Sequence, residues 1–298
     1  MEQVELSPGG PRLSRIVAGA WRLAAWNWSA QERLRWIEGC IDLGVTSFDH
    51  ADIYGSYTAE GLFGEALALR PALRESMQLV SKVGIKLVSP NRPGHRVHCY
   101  DTSAAHIEAT VNTSLAELRT DHLDLLLIHR PDPLMDATEV AATFERLRGA
   151  GKVRHFGVSN FTPAQFELLH SRFPLCTNQI ELSPLHRAPL EDGTLEQCQR
   201  LRVKPMIWSP LAGGALFTST EPAAERVRAA LQTIARRRGS APASVAHAWL
   251  LRLPSQPLPV VGSRRIEALR EAAAALALRL DAEEWTDIWQ AATGHEVA

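Results

Sequence analysis

The sequence carries no excess of either charge. Its 298 residues hold 32 Lys and Arg against 33 Asp and Glu, a formal net charge of −1. A dedicated nucleic-acid binder normally carries a basic excess, so that class is set aside. The one basic run, Arg236-Arg237-Arg238, stands directly before Gly239. Cations suit the negative end of a helix and glycine its C-terminal cap, so the run reads as a helix end, not a phosphate patch. Cysteine is scarce: Cys40, Cys99, Cys176 and Cys198 lie far apart, without a C-x-x-C or the Cys/His spacing of a zinc site. Buried free thiols in a reducing, cytoplasmic setting are expected, and no metal centre. No apolar run approaches the roughly 18 residues of a membrane span. Met1 to Glu5 lacks the basic and apolar stretches of a signal peptide. No membrane partner is expected, and the sequons at Asn27, Asn112 and Asn160 carry no glycosylation meaning.

What is present is ordinary globular chemistry, 45% hydrophobic and 22% charged. At about 150 residues per domain the length allows two domains, but α/β barrels exceed that size as one. With no linker or low-complexity stretch, residues 1–298 are expected to form a single domain.

Short apolar runs alternate with helical patterns. The candidate strands are 16–18, 47–49, 79–81, 123–128, 156–158, 177–180, 206–208 and 259–261. Helix starts are recognisable between them. Ser103 precedes Ile107, Val111, Leu115 and Leu118 at helical spacing. Asp136 to Glu139 resembles a capping box, Thr162-Pro163 places proline at a first helical position, and Asp281 to Glu284 opens a last helix. The segment Val4 to Arg15, with Pro8-Gly9-Gly10-Pro11 in its middle, reads as a β-hairpin. Repeated βα units imply parallel strands, in a doubly wound sheet or a (β/α)₈ barrel. About eight strands, and no G-x-G-x-x-G after the first, favour the barrel with a preceding hairpin.

Barrel enzymes carry their chemistry at the C-terminal ends of the strands. There stand Asp49 with Tyr54 just beyond, then Lys82, His129, Ser159-Asn160, Gln179, Trp208-Ser209 and Gly262-Ser263-Arg264-Arg265. A tyrosine near pKa 10 is a poor donor at neutral pH. A lysine ammonium beside it favours the phenolate, a carboxylate holds that ammonium, and a histidine can orient a carbonyl oxygen. Together they can protonate a carbonyl oxygen while hydride reaches its carbon. Each also has a plain structural explanation: packing for Tyr54 and Trp208, an ion pair for Lys82 and Asp49, a satisfied core residue for His129.

The segments FDHADIYG (48–55), VSK (80–82), DLLLIHRPD (124–132), GVSNF (157–161), NQIE (178–181), WSPL (208–211) and VGS (261–263) resemble, in order, those of the aldo-keto reductases. The likeness covers essentially the whole chain and is strongest to bacterial members with a short C-terminal loop. It implies NADPH-dependent reduction of a small aldehyde or ketone, with Tyr54 as general acid, Lys82 and Asp49 as its tuning pair and His129 orienting the carbonyl. It implies that Ser159, Asn160 and Gln179 meet the nicotinamide carboxamide and that Trp208 stacks on the ring, where many relatives have tyrosine. Backbone around Ser209, Pro210, Leu211 and Gly213 would cradle the pyrophosphate. Gly262, Ser263, Arg264 and Arg265 would meet the 2′-phosphate, and Gly19 and Trp21 also count among the cofactor contacts. Ala268 and Ala272 stand where many relatives place polar cofactor contacts. Trp21, Trp26, Trp28 and the loop from Leu87 to Asp101 are candidate walls of an aromatic substrate pocket. Some relatives bind nucleotide and act mainly as regulatory or accessory subunits, which is the rival reading.

Overall fold

In the computed structural model, which describes residues 1–296, the chain starts with a hairpin, β1 (Gln3–Glu5) and β2 (Arg12–Ser14). Gly9 takes a left-handed φ of 72° at its turn, a conformation glycine adopts without cost. The hairpin places Leu6 and Leu13, both fully buried, against the inside of a barrel, as a plug at one end.

The barrel follows in βα units. The chain runs β3 (Val17–Gly19), α1 (Ala30–Asp42), β4 (Ser47–Asp49), α2 (Ala59–Ala68) and β5 (Gln78–Val83). A small excursion, β6 (Ile85–Lys86) and β7 (Cys99–Tyr100), leads to α3 (Ala104–Leu118) and β8 (Leu123–Ile128). Then come α4 (Ala137–Gly149), β9 (Val153–Ser159), α5 (Pro163–His170), β10 (Asn178–Glu181), α6 (Thr194–Leu201) and β11 (Met206–Trp208). The last part holds α7 (Ala215–Thr218), α8 (Pro222–Arg238), α9 (Pro242–Leu251), β12 (Leu258–Val261), α10 (Ile266–Ala274) and α11 (Ala282–Thr293). Strands β3, β4, β5, β8, β9, β10, β11 and β12 pair in parallel and close into a barrel through β12 and β3, with Val260 opposite Val17. Helices shield the outside, so strands such as β8 are buried on both faces and read as continuous apolar runs.

The alternation of side chains along each strand decides which residues meet inside. Val80, Leu125, Leu127, Met206 and Val260 fill the interior with Val17 and Leu258, while Leu79, Leu126, Ile128 and Phe156 face the helices. The same period carries Lys82 inward with Val80, His129 with Leu125 and Leu127, and Trp208 with Met206. Gly157 is required there: a Cβ would lie 2.7 Å from the Thr177 carbonyl oxygen and 2.9 Å from Leu127 Cδ2.

Several local expectations change. The loop from Leu87 is not wholly irregular, because Ile85 pairs with Tyr100 and Lys86 with Cys99 at its base. At Asp136 the carboxylate caps Thr138 and Glu139, but Glu139 does not reach back. Its carboxylate accepts instead from the Ala104 N–H, an unpaired donor at the start of α3. A capping box unexpected from the sequence closes at Ser29 and Glu32. Cys99 is only half-buried, unlike the other three cysteines, because it sits in the exposed excursion. Arg236 to Arg238 do end a helix before Gly239, and Arg238 also holds Glu284 of α11 through two hydrogen bonds, 2.9 and 2.6 Å.

Candidate active site

At the C-terminal mouth of the barrel one buried ammonium organises its surroundings. Lys82 Nζ lies 2.8 and 2.7 Å from the two Asp49 carboxylate oxygens, 2.8 Å from the His50 carbonyl oxygen and 3.1 Å from Tyr54 Oη. The lysine donates to Tyr54, so the phenolic proton is left for another acceptor. Tyr54 also meets His129 edge-to-face, ring centroids 5.9 Å apart. Asp49, Tyr54, Lys82 and His129 are therefore brought together from the ends of β4, β5 and β8.

Burial and charge compete here. Burial works against the Lys82 charge, but Asp49 and Tyr54 outweigh it and hold the ammonium above its ordinary value. For Tyr54, burial is the largest influence and raises the phenol above 10 against the downward pull of Lys82. The expected lowering by lysine is present but is outweighed by burial. His129 is held well below its usual value by burial, then by Lys82 and Arg130, so the imidazole is neutral. His50, fully buried with both ring nitrogens unpartnered, is pushed down to about 3 by burial and by Lys82. Its backbone contact to Lys82 left no trace in the sequence, since any residue supplies a carbonyl oxygen.

The expected cofactor residues fall into three groups. Ser159 Oγ donates to the Gln179 carbonyl oxygen (2.8 Å), Asn160 Nδ2 donates to Ser159 Oγ (2.8 Å), and Trp208 Nε1 donates to Asn160 Oδ1 (2.9 Å). This chain fixes the Trp208 ring at the mouth. The Gln179 side chain reaches the Asp49 of this cluster, donating from Nε2 to Asp49 Oδ1 at 2.8 Å. The second group is the loop after β11. Ser209, Ala212, Gly213 and Gly214 all have positive φ, a Cβ on Gly214 would meet nothing within 4 Å, and Arg22 donates to the Gly213 carbonyl oxygen at 2.8 Å. Within this loop Gly213 is exposed and its neighbours are half-buried, apart from buried Pro210. Leu211 packs partly buried beneath it, next to Pro210. The third group closes the circle. Gly19 packs against Gly262, and a Cβ on Gly19 would lie 3.0 Å from Val260 Cγ1. Ser263 is tied by its carbonyl oxygen to Trp36 Nε1 (3.1 Å). Arg264 and Arg265 are exposed, form no ion pair among the described residues, and precede an α10 N-terminus that no side chain caps.

Ala272 is fully buried in the core, so its small side chain belongs to packing, not to a cofactor contact. Trp26 and Trp28 are half-buried, packed on one another (4.8 Å) and, through Trp26, on Trp36 (5.2 Å) at the edge of the core. Trp21 alone of the three projects, 57% exposed. A cleft of about 720 Å³ lies at the opposite rim, where Arg74 pairs with Asp124, and holds none of the tetrad. Among the described residues no group of three or more His, Cys, Asp or Glu side chains is placed to hold a metal ion, and no helix is long and apolar enough to cross a membrane.

The profile of the aldo/keto reductase family matches residues 15–293. The chain belongs to the aldo/keto reductase family. It is an oxidoreductase of that family. It is 52% identical over 303 residues to oxidoreductase YdhF of Escherichia coli (strain K12), covering 100% of this chain and 99% of the relative. It is 45% identical over 290 residues to a 6-dehydroglucose reductase of Agrobacterium fabrum, covering 96% of each. Among solved structures it resembles the thermostable aldo-keto reductase Tm1743 in complex with the inhibitor epalrestat, with a TM-score of 0.82 and 27% identity, covering 98% of this chain and 100% of that one.

Proposed function

We propose that this aldo-keto reductase reduces aldehydes or ketones to alcohols with NADPH, and that Tyr54 is the proton donor. The observation that carries the reading is the Lys82 ammonium, clamped by both Asp49 oxygens and 3.1 Å from Tyr54 Oη. When bound, the cofactor supplies hydride to the carbonyl carbon. The chain's own groups do the rest. Tyr54 gives its proton to the carbonyl oxygen, and the Lys82 hydrogen bond stabilises the phenolate left behind. The raised phenol keeps Tyr54 protonated through the neutral range, the form a donor needs. Neutral His129, beside Tyr54, orients the carbonyl oxygen by hydrogen bonding. The balance is one hydride and one proton added across C=O.

The mouth suits a nicotinamide dinucleotide. Ser159, Asn160 and the fixed Trp208 ring would hold the nicotinamide end, and the open backbone of 209–214 the pyrophosphate. Arg264, Arg265 and the uncapped α10 N-terminus would hold a 2′-phosphate, because free N–H groups and planar guanidinium forks both favour phosphate. Gln179 serves Asp49 in this reading and holds the carboxylate's orientation. The name of the Agrobacterium relative, a reductase of 6-dehydroglucose, supports carbonyl reduction as the direction. The test is a panel of aldehydes and ketones assayed by loss of nicotinamide absorbance. Turnover of NADPH with at least one carbonyl class is expected. NADPH binding without consumption across the panel would replace this reading with an accessory, nucleotide-binding role.

A further inference from the structure

Arg130 follows His129 directly at the end of β8 and enters the chemistry above only as a charge that helps keep His129 neutral. Its guanidinium carbon stands 5.7 Å from the Trp208 ring centroid. Trp208 is itself held at the mouth by Asn160, so Arg130 stands at the mouth of the barrel, beside that ring and next in sequence to His129. The residue is half-buried, and no carboxylate pairs with it among the described residues. Asp132, two residues on, is committed elsewhere: it accepts from Thr102 Oγ1 and from the Leu134 N–H, each at 2.9 Å. Asp49 is paired with Lys82.

We infer that Arg130 selects carbonyl substrates that carry an anionic group, a carboxylate in particular, close to the reacting carbonyl. This rests on the carbonyl-reductase reading and names its substrate class. The physical ground is that a half-buried cation without a counter-ion gains most from an anionic ligand, and that guanidinium matches a carboxylate with two parallel hydrogen bonds. Arg130 also acts electrostatically on the reacting groups, drawing down both Tyr54 and His129.

The experiment compares succinic semialdehyde with its methyl ester, which lacks the charge at the far end and carries one added methyl group. The wild type should prefer the acid by roughly ten- to a hundredfold in kcat/KM, the range of one or two charge-assisted hydrogen bonds. The preference should shrink with added salt. In Arg130→Met the ratio should fall toward one, through a higher KM for the acid, and Arg130→Lys should recover part of it. Equal rates for acid and ester in the wild type would refute the anion preference alone. A ratio untouched in Arg130→Met, or a change confined to the KM for NADPH, would assign Arg130 to the cofactor and overturn the inference. Failure to reduce either compound, or any other carbonyl, would instead refute the reductase reading itself.

Discussion

Replacing Lys82 by methionine tests why Tyr54 can act. Methionine keeps much of the stem and removes the charge. The ammonium lies 3.1 Å from Tyr54 Oη. At an effective dielectric constant of about 20, unit charges at that separation interact by about 5 kcal/mol. Only part of a full negative charge has formed on Oη at the transition state. If half has formed, the lost stabilisation is about 2.5 kcal/mol, close to a hundredfold in rate. The variant has a second consequence, because Asp49 is left buried without its partner. Breaking a buried ion pair typically costs about 3–5 kcal/mol of stability. Gln179 still donates to Asp49 and limits that loss. The double variant Lys82→Met, Asp49→Asn removes both charges and should regain stability without regaining activity. Single-turnover reduction with NADPH present, alongside urea unfolding of each variant, separates the two effects. Wild-type turnover in a folded Lys82→Met enzyme across a pH series would make the pair purely structural and refute the reasoning.

Further consequences concern cofactor choice, pH and acid stability. In an Arg264→Ala, Arg265→Ala double variant the preference for NADPH over NADH should drop by roughly tenfold or more, mainly through NADPH, since one charge-assisted hydrogen bond is worth about 1.5–3 kcal/mol; an unaltered preference in kcat/KM would remove both arginines from the phosphate site. With the Tyr54 phenol raised above 10 by burial, the donor form persists below that value and is lost only as pH rises through it. Reduction should therefore stay flat through the neutral range and fall in strong alkali, and a fall centred near pH 7 in the rate profile would contradict this. His247 is buried with its pKa lowered to about 4, so from about pH 6.5 downward the unfolded state takes up a proton that the folded state refuses. Between the two pKa values stability falls by up to about 1.4 kcal/mol per pH unit from this group; His247→Leu, compared with wild type by urea unfolding at pH 6.5 and 5, should blunt the loss by about 1.6 kcal/mol, and identical losses would refute it.

The barrel was legible because parallel strands buried on both faces must be short apolar runs, and β4, β8 and β11 have the expected bounds. The tetrad was legible for the same reason: a period of two, counted back from Lys82 to Val80 and from His129 to Leu127, already puts those side chains inside. Choices between hydrogen-bond partners were not. Nothing in the sequence tells that Glu139 caps a neighbouring helix, or that the Gln179 amide turns to Asp49, because each depends on distances across the fold. The direction of the Tyr54 shift was hidden as well. A lysine in the same motif set predicts a lowered phenol, whereas the burial that outweighs it comes from packing. Arg130 was visible in the motif DLLLIHRPD, but its lack of a counter-ion was not, since Asp132 nearby looks like a partner until Thr102 is seen to hold it.

Proton donation by Tyr54 is most directly tested by Tyr54→Phe, which removes the hydroxyl and leaves the ring against His129 and the Lys82 ammonium, which stands 5.0 Å from the ring centroid. Carbonyl reduction, measured as NADPH consumption by the folded variant, should fall by at least about a hundredfold, the usual contribution of a positioned general acid. NADPH affinity, measured by titration, should change little. Near-normal turnover by a folded Tyr54→Phe enzyme would contradict the account.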